Sequence, residues 1–332
     1  MDSNNNIFLS IIICTHRRPD SVDYTLNSIL NMQYQGNDWE IIVVENDTEA
    51  SPVLAEIIEK WKDKLPLRWV LETIPNLSRA RNAGANNAYG EYLAYIDDDV
   101  EVPKQWITSI IEELKKHSPD YGGGPVYPLY KKPKPKWYKD EYQMSSYFGD
   151  EVCFVDDVFT GCNFFVRTDL VFKVDGFDIN FGMAGSKVAY GEETLFFKRL
   201  KEYNPSIKAL YIPQAYVKHE VASYKYTFKW MLQNGWAGGR DWIAQGHWKK
   251  DQYKLLPTII RLIKYIFIFL FLRIPRLLLE ILLDIIIPSR KLWKRYVKEG
   301  ITHIIVLLSI QIYAIKHRIK DKNNKCCLLT IL

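Results

Sequence analysis

Three carboxylates in a row, Asp97, Asp98 and Asp99, close the apolar run LAYI. Packed side by side they repel one another unless positive charge sits among them. Asp97 and Asp99 bracket a single residue, a spacing that can aim two hard oxygen ligands at one divalent cation. Mg2+ and Mn2+ accept such ligands, usually shared with substrate phosphates. A cation would supply the missing charge; an acidic turn after a strand is the other reading. Two further polar clusters, residues 15–18 (THRR) and 45–47 (END), also follow directly on apolar runs.

The elements that must position these clusters show in the pattern. IFLSIIICTH (7–16) and WEIIVVEND (39–47) are short runs rich in β-branched residues, as in buried parallel strands. Between them Val22, Leu26, Ile29 and Leu30 recur at helical spacing. SPVLAEIIEKWKDKL (51–65) opens on Ser-Pro, a good helix entrance. LRWVLET (67–73) predicts a third strand, NLSRARNAGANNAYG (76–90) a helix ended by Gly90, and EYLAYIDDD (91–99) a fourth strand. Strands alternating with helices predict βαβ units in a doubly wound, mostly parallel α/β sheet. Ligands of such sheets bind at the carboxyl ends of strands, where all three polar clusters fall.

The 332 residues leave room for one large domain and an appendage. Charge is unevenly divided. Residues 246–332 hold 17 Lys+Arg and 5 Asp+Glu, or +12; residues 1–245 hold the remaining 27 and 34, or −7. An acidic body argues against a nucleic-acid binder. A basic, apolar tail fits an anionic membrane surface. The expected division is a catalytic domain over 1–245 and a membrane-associating helical tail over 246–332. The 10 Trp and 21 Tyr suit stacking on a base or sugar as well as an aromatic core. Cys14, Cys153, Cys162, Cys326 and Cys327 lack metal-type spacing and read as reduced thiols of a cytosolic protein. The opening MDSNNNIFLS shows no basic, apolar leader.

Seven segments occur in a telling order: LSIIICTHRRPD, EIIVVEND, NLSRARNAG, YGEYLAYIDDDVEVP, TGCNFFVRTDLVFKVDGFD, YGEETLFFKRL and AYVKHE. Together they resemble the family-2 glycosyltransferases, inverting enzymes of the GT-A fold, over roughly residues 7–245. The resemblance implies a nucleoside-diphosphate sugar donor, UDP-linked as the first expectation, and a Mn2+ or Mg2+ cofactor. It implies nucleotide contacts at residues 15–18, Thr15 and Arg17 among them, and at Glu45, where the family usually has Asp; Asp47 is the alternative there. Arg81 matches a nucleotide-contacting arginine, positive charge near the diphosphate. Asp97 and Asp99 match the family's Asp-x-Asp, with Asp99 the expected metal ligand, Asp97 shared between metal and donor, and Asp98, between them, counted with the nucleotide-sugar contacts. His219 matches a histidine that approaches the metal or pyrophosphate.

Glu192 and Glu193 match the family's paired acids, of which the second is usually the general base. A sugar hydroxyl is a poor nucleophile at neutral pH, so its proton needs an acceptor. A charged helix start, favoured by the dipole, is the structural alternative. Asn163 and Trp236 are the expected acceptor-side residues. The Gln-x-x-Arg-Trp of processive synthases does not match QNGWAGGRDW, so single-sugar transfer is expected. YGGGPVYP (121–128) reads as a turn leading into a strand; no Gly-Lys-Ser/Thr follows, which excludes a triphosphatase loop. The Lys- and Pro-rich residues 130–142 read as a solvated loop, with a lid as the alternative.

Two rivals remain at this level. A sugar-phosphate nucleotidyltransferase would carry a Gly-rich first loop, which CTHRRPD lacks. A catalytically dead membrane scaffold would not need Asp97, Asp99 and Glu193. In the tail, Arg276, Glu280 and Asp284 fall on one polar stripe of a helix beginning near Pro275. The longest uncharged runs, 265–272 and 300–315, are shorter than the ~20 residues of a spanning helix. The expectation is an in-plane anchor on the cytoplasmic leaflet, its basic residues on anionic headgroups, beside a saccharide or lipid-linked acceptor.

Overall fold

A computed structural model describes residues 7–183, 191–243, 255–286 and 292–329. The first half alternates as expected. β1 (Leu9–Thr15) leads to α1 (Pro19–Leu30), β2 (Trp39–Glu45), α2 (Pro52–Trp61), β3 (Leu67–Leu71), α3 (Leu77–Asn86) and β4 (Tyr92–Asp97). Pro19 and Pro52 sit in the first turns of α1 and α2, where a missing N–H costs nothing. The Ser51 hydroxyl caps α2 at Leu54, and Asn76 Oδ1 caps α3 at Arg79. There follow β5 (Val100–Glu101), α4 (Trp106–His117), β6 (Tyr121–Gly123), β7 (Val126–Leu129), β8 (Cys153–Val155), β9 (Asn163–Arg167), α5 (Thr168–Lys173), α6 (Glu192–Tyr203), β10 (Ala209–Tyr211) and β11 (Val217–Glu220).

The larger sheet has the order β3-β2-β1-β4-β9-β6-β10-β8. Its first four strands are parallel, and β9 runs antiparallel between β4 and β6. The apolar runs of β1, β2 and β4 are buried on both faces, between α1, α2 and α4 on one side and α3, α5 and α6 on the other. A small sheet, β5-β11-β7, lies beyond the carboxyl end of β4. In it His219 stands opposite Val100, the residue after Asp99.

Three local expectations are corrected. α3 ends at Asn86 with Asn87 as its cap, so Gly90 does not terminate it. Gly90 instead allows a close approach: a Cβ there would lie 2.6 Å from Ser10 N. Leu30 is 41% exposed, because α1 turns only Val22, Thr25, Leu26 and Ile29 to the sheet. The glycine run is strand rather than turn. Gly122 and Gly123 belong to β6, where a Cβ on Gly122 would meet Leu210 O at 2.1 Å.

The chain divides into two compact units. One comprises Met1–Lys131, Asp140–Lys187 and Glu192–Val221; the other comprises Lys132–Lys139, Val188–Gly191 and Ala222–Leu332. The second unit therefore begins before residue 246, and it includes α7 (Phe228–Trp242) with α8 (Leu255–Ile268), α9 (Ile274–Ile286), α10 (Leu292–Tyr296) and α11 (Thr302–Leu329). α7 lies close on α11 because Gly235 and Gly239 carry no side chain. A Cβ on Gly239 would meet Val306 O at 2.5 Å. The 130–142 segment is solvated at Lys131, Lys132, Pro133, Lys136, Asp140 and Glu141 but not throughout: Trp137 and Tyr138 are 5% and 2% exposed, and Tyr138 packs edge-on against Tyr226.

Candidate active site

The carboxyl ends of β1, β2 and β4 bring the three polar clusters together. At the end of β4 the three aspartates part company. Asp98 turns inward and is fully buried. It accepts a hydrogen bond from Thr15 Oγ1 at 2.6 Å and pairs with Arg18 at 2.5 Å. Burial pushes its carboxyl up to about 7 even though the Arg18 charge opposes this. Asp97 and Asp99 turn the other way, toward His219 of β11, whose Nε2 lies 3.5 Å from Asp97 Oδ2 and 3.2 Å from Asp99 Oδ1. Burial disfavours the charged imidazole, but the two carboxylates outweigh it and hold the ring up to about 9. Burial also opposes the Asp97 charge; the His219 hydrogen bond and charge more than offset it, and the Asp97 carboxyl titrates below its usual range.

The ligand atoms of Asp97, Asp99 and His219 all lie within 4.8 Å of one another. Two carboxylates and an imidazole suit Mn2+ and are tolerable for Mg2+, which prefers oxygen. The donor set therefore fits a divalent cation.

Next to this cluster the loop after β1 borders a cavity of about 400 Å3, lined among others by Thr15, Arg17, Arg18, Glu45, Asp47 and Ser51. Arg17 has φ 56°, a left-handed conformation that is strained for arginine, and forks onto Asp47 at 2.6 and 3.0 Å. That pair holds the Asp47 carboxyl down at about 2. Glu45 accepts the backbone N–H of Ser51 at 2.9 Å, and burial raises its pKa. Arg18 belongs to both places: it lines the cavity, and its guanidinium bridges Asp98 and Asp99, the latter at 2.8 Å. The sequence places Arg18 only within the 15–18 nucleotide loop, not on the aspartates. The signal was available, since three adjacent carboxylates require a cation and Arg18 is the second of two arginines after the neighbouring strand.

Arg81 and Glu192 form a buried ion pair of 2.7 Å, and Arg81 also donates to Gly161 O at 3.1 Å. At 3% exposure, Arg81 is not aimed at solvent, and it does not line the cavity beside Thr15 and Asp47. Its guanidinium instead sits among Glu192, Glu193, Asp97 and Cys14 and acts on all four through charge. Glu192 is committed to that pair, whereas Glu193 Oε2 is buried without a hydrogen-bond partner among the described residues. Burial first, and the neighbouring Glu192 charge second, push the Glu193 carboxyl up to about 8, against the pull of Arg81.

Asn163 corrects the acceptor-side expectation. It is 2% exposed, its amide donates to Pro125 O and Ala215 O, and its Oδ1 accepts from Trp106 Nε1. Both donors are used in tying strands, and none is left for a substrate. Trp236 is on α7 in the second unit, with its ring 36% exposed and near Tyr313.

Residues 10–190 match the family model described as "Glycosyl transferase family 2". Succinoglycan biosynthesis protein ExoM of Rhizobium meliloti is 27% identical over 243 residues, which is 71% of this chain and 74% of that protein. Glucosyl-dolichyl phosphate glucuronosyltransferase of Haloferax volcanii is 27% identical over 240 residues, 69% of this chain and 75% of that protein. Among solved structures, Staphylococcus aureus TarS 1-349 in complex with UDP-GlcNAc aligns with TM-score 0.51 and 17% identity, over 70% of this chain and 66% of that one. Mannosyltransferase PcManGT of Pyrobaculum calidifontis, in complex with GDP-Man and Mn2+, aligns with TM-score 0.51 and 15% identity, over 71% of this chain and 63% of that one. At such identities the two structures establish a shared fold, the GT-A fold.

Proposed function

Because the chain belongs to glycosyltransferase family 2, matched over more than half its length, we propose that it moves one sugar from a nucleoside-diphosphate sugar, UDP-linked in the first instance, to an acceptor hydroxyl with inversion at the anomeric carbon. The observation that carries this reading is the Asp97–Asp99–His219 cluster, joined through Arg18 to the cavity at the ends of β1 and β2. Thr15, Arg17, Glu45 and Asp47 would hold the nucleoside in that cavity. Asp99, Asp97 and His219 would hold Mn2+ or Mg2+ against the diphosphate. When bound, the cation supplies positive charge that offsets the charge building on the leaving nucleoside diphosphate.

Glu193 is the proposed base. Its Oε2 takes the hydroxyl proton as the acceptor oxygen bonds to the anomeric carbon, while the bond from that carbon to the diphosphate breaks on the opposite face. The buried Arg81–Glu192 pair orients α6 and leaves Glu193 as the acid able to exchange a proton. Arg81 thus acts through Glu192 as a positioning residue, and Asp98 does the same through Thr15 and Arg18. Trp236 offers an exposed ring suited to stacking on a sugar.

The acceptor class is a saccharide or a lipid-linked saccharide, at the cytoplasmic face of the cell membrane. The succinoglycan and dolichyl-phosphate names of the two relatives support that class. Purified protein offered a panel of nucleotide sugars with and without Mn2+ tests the reading, with donor binding and donor hydrolysis both scored. One donor bound and hydrolysed only with the cation is the expected result. Binding without turnover would make the protein a scaffold, and turnover in EDTA would refute the cation's role.

A further inference from the structure

Along α8 and α9 the second unit turns large apolar side chains outward and several polar ones inward. α8 and α9 form one helical run from Leu255 to Ile286, joined by a π-helical turn at Phe269–Arg273. Pro275, which has no N–H to donate, follows just after this turn. Along this run several polar side chains face in. Thr258 is 1% exposed and Glu280 6%. Arg261 donates to Gln311 Oε1 of α11 at 3.2 Å and to Thr258 Oγ1 at 3.3 Å. Asp284 accepts the backbone N–H of Trp293 at 3.1 Å, and Arg276 pairs with Glu280 at 2.6 Å. The stripe read from sequence as Arg276, Glu280 and Asp284 therefore turns its two carboxylates toward protein rather than water.

The large apolar side chains face out. Leu256, Ile263, Phe267, Phe271, Leu278 and Ile285 are between 56% and 69% exposed. A water-soluble helix has the opposite arrangement, and so long an apolar face is a binding surface. From residue 256 to 286 is 30 steps, or about 45 Å at about 1.5 Å per residue. That exceeds the ~30 Å thickness of a bilayer's hydrocarbon, so the face cannot stand upright in it. The exposed charged side chains on the run are Lys264 and Arg276, both cationic, which suits anionic lipid headgroups.

By length and composition alone, the stretch Trp293–Lys316 is long and apolar enough to cross a membrane, longer than the uncharged run 300–315 suggested. Of its apolar window 39% is buried, and it packs against α7 and α8. Ser309 Oγ donates to Trp236 O at 2.7 Å, Gly235 and Gly239 of α7 abut it, and Gln311 takes the Arg261 bond.

The geometry points to a lipid bilayer surface as the partner of the 255–286 face: this run lies in the plane of one leaflet, apolar side down, with α11 as its inner strut and not as a span. The inference deepens the membrane placement proposed above and rests on nothing in the transfer chemistry.

Flotation of the full-length protein with phosphatidylglycerol-containing vesicles tests it. The expected result is co-flotation, reduced at least tenfold by Leu278→Glu/Leu282→Glu and weakened by Lys264→Glu only when the vesicles are anionic. Nucleotide-sugar binding should be the same in all variants, which separates this outcome from failure of the transferase reading. p-Benzoylphenylalanine introduced at Ile263, Phe271 or Leu282 should crosslink to lipid. A wild-type protein that stays in the aqueous phase at twice its monomer mass would overturn the proposal in favour of a second copy on this face. In sealed vesicles, trypsin added outside should remove a C-terminal tag completely; a protected tag would mean that α11 crosses, and would overturn the in-plane placement.

Discussion

Replacing the two adjacent acids of α6 one at a time should separate a proton acceptor from a strut. The proposed base works only as a carboxylate, so activity should require Glu193 to lose its proton. With that carboxyl at about 8, only about one tenth is ionised at pH 7 and about nine tenths at pH 9. Initial rates of donor hydrolysis, with water as acceptor, should then give a kcat/KM that rises about tenfold from pH 7 to 9 and reports the free enzyme. Glu193→Gln should lower the rate by about 10²–10⁴ and abolish this limb. Glu192→Gln removes the neighbouring negative charge and frees the Arg81 guanidinium, so it should move the limb to lower pH by about one unit or more. Stability carries the opposite sign. The folded state holds a proton that the unfolded state has released above 4.5, so Glu193's contribution is complete below that pH and is lost as pH rises through about 8. Glu193→Gln should therefore gain in relative Tm between pH 6 and 9. A wild-type limb near pH 4.5, or a dead Glu192→Gln beside an active Glu193→Gln, would refute the assignment.

Other substitutions probe separate parts of the site and fold. Asp99→Ala should lose Mn2+ binding, read by electron paramagnetic resonance of the free ion, and about 10²–10³ in turnover. Arg81→Met should cost about 3–5 kcal/mol in urea unfolding, because Glu192 is left as an uncompensated buried charge; Arg81→Met/Glu192→Met should recover most of it. Asn163→Ala should cost about 1–3 kcal/mol through the orphaned carbonyls of Pro125 and Ala215, with donor affinity unchanged. Gly122→Ala should destabilise by about 1–3 kcal/mol or more, since its Cβ would press on Leu210 O.

Sequence alone determined the strand–helix alternation from Leu9 to Asp97, because a buried strand and a one-sided helix leave different periodicities in a linear chain. It also determined that residues 15–18, 45–47 and 97–99 converge, since parallel strands carry their ligand loops at one end. Spacing likewise brought Asp97 and Asp99 forward as a pair, and the ordered motifs added His219 and Glu193.

Tertiary structure decided what each polar group faces. Asp98 and Asp99 are neighbours in sequence, yet one is buried on Thr15 and Arg18 while the other turns to His219. Asn163 resembles a substrate contact until Trp106, Pro125 and Ala215, from three other segments, take up its amide. Arg81 resembles a phosphate binder until Glu192, 111 positions later, claims it. In the tail, periodicity located a polar stripe but not its direction. An amphipathic helix has the same pattern whether water or protein meets its polar side, and only the packing of α8 and α9 against their neighbours distinguishes the two.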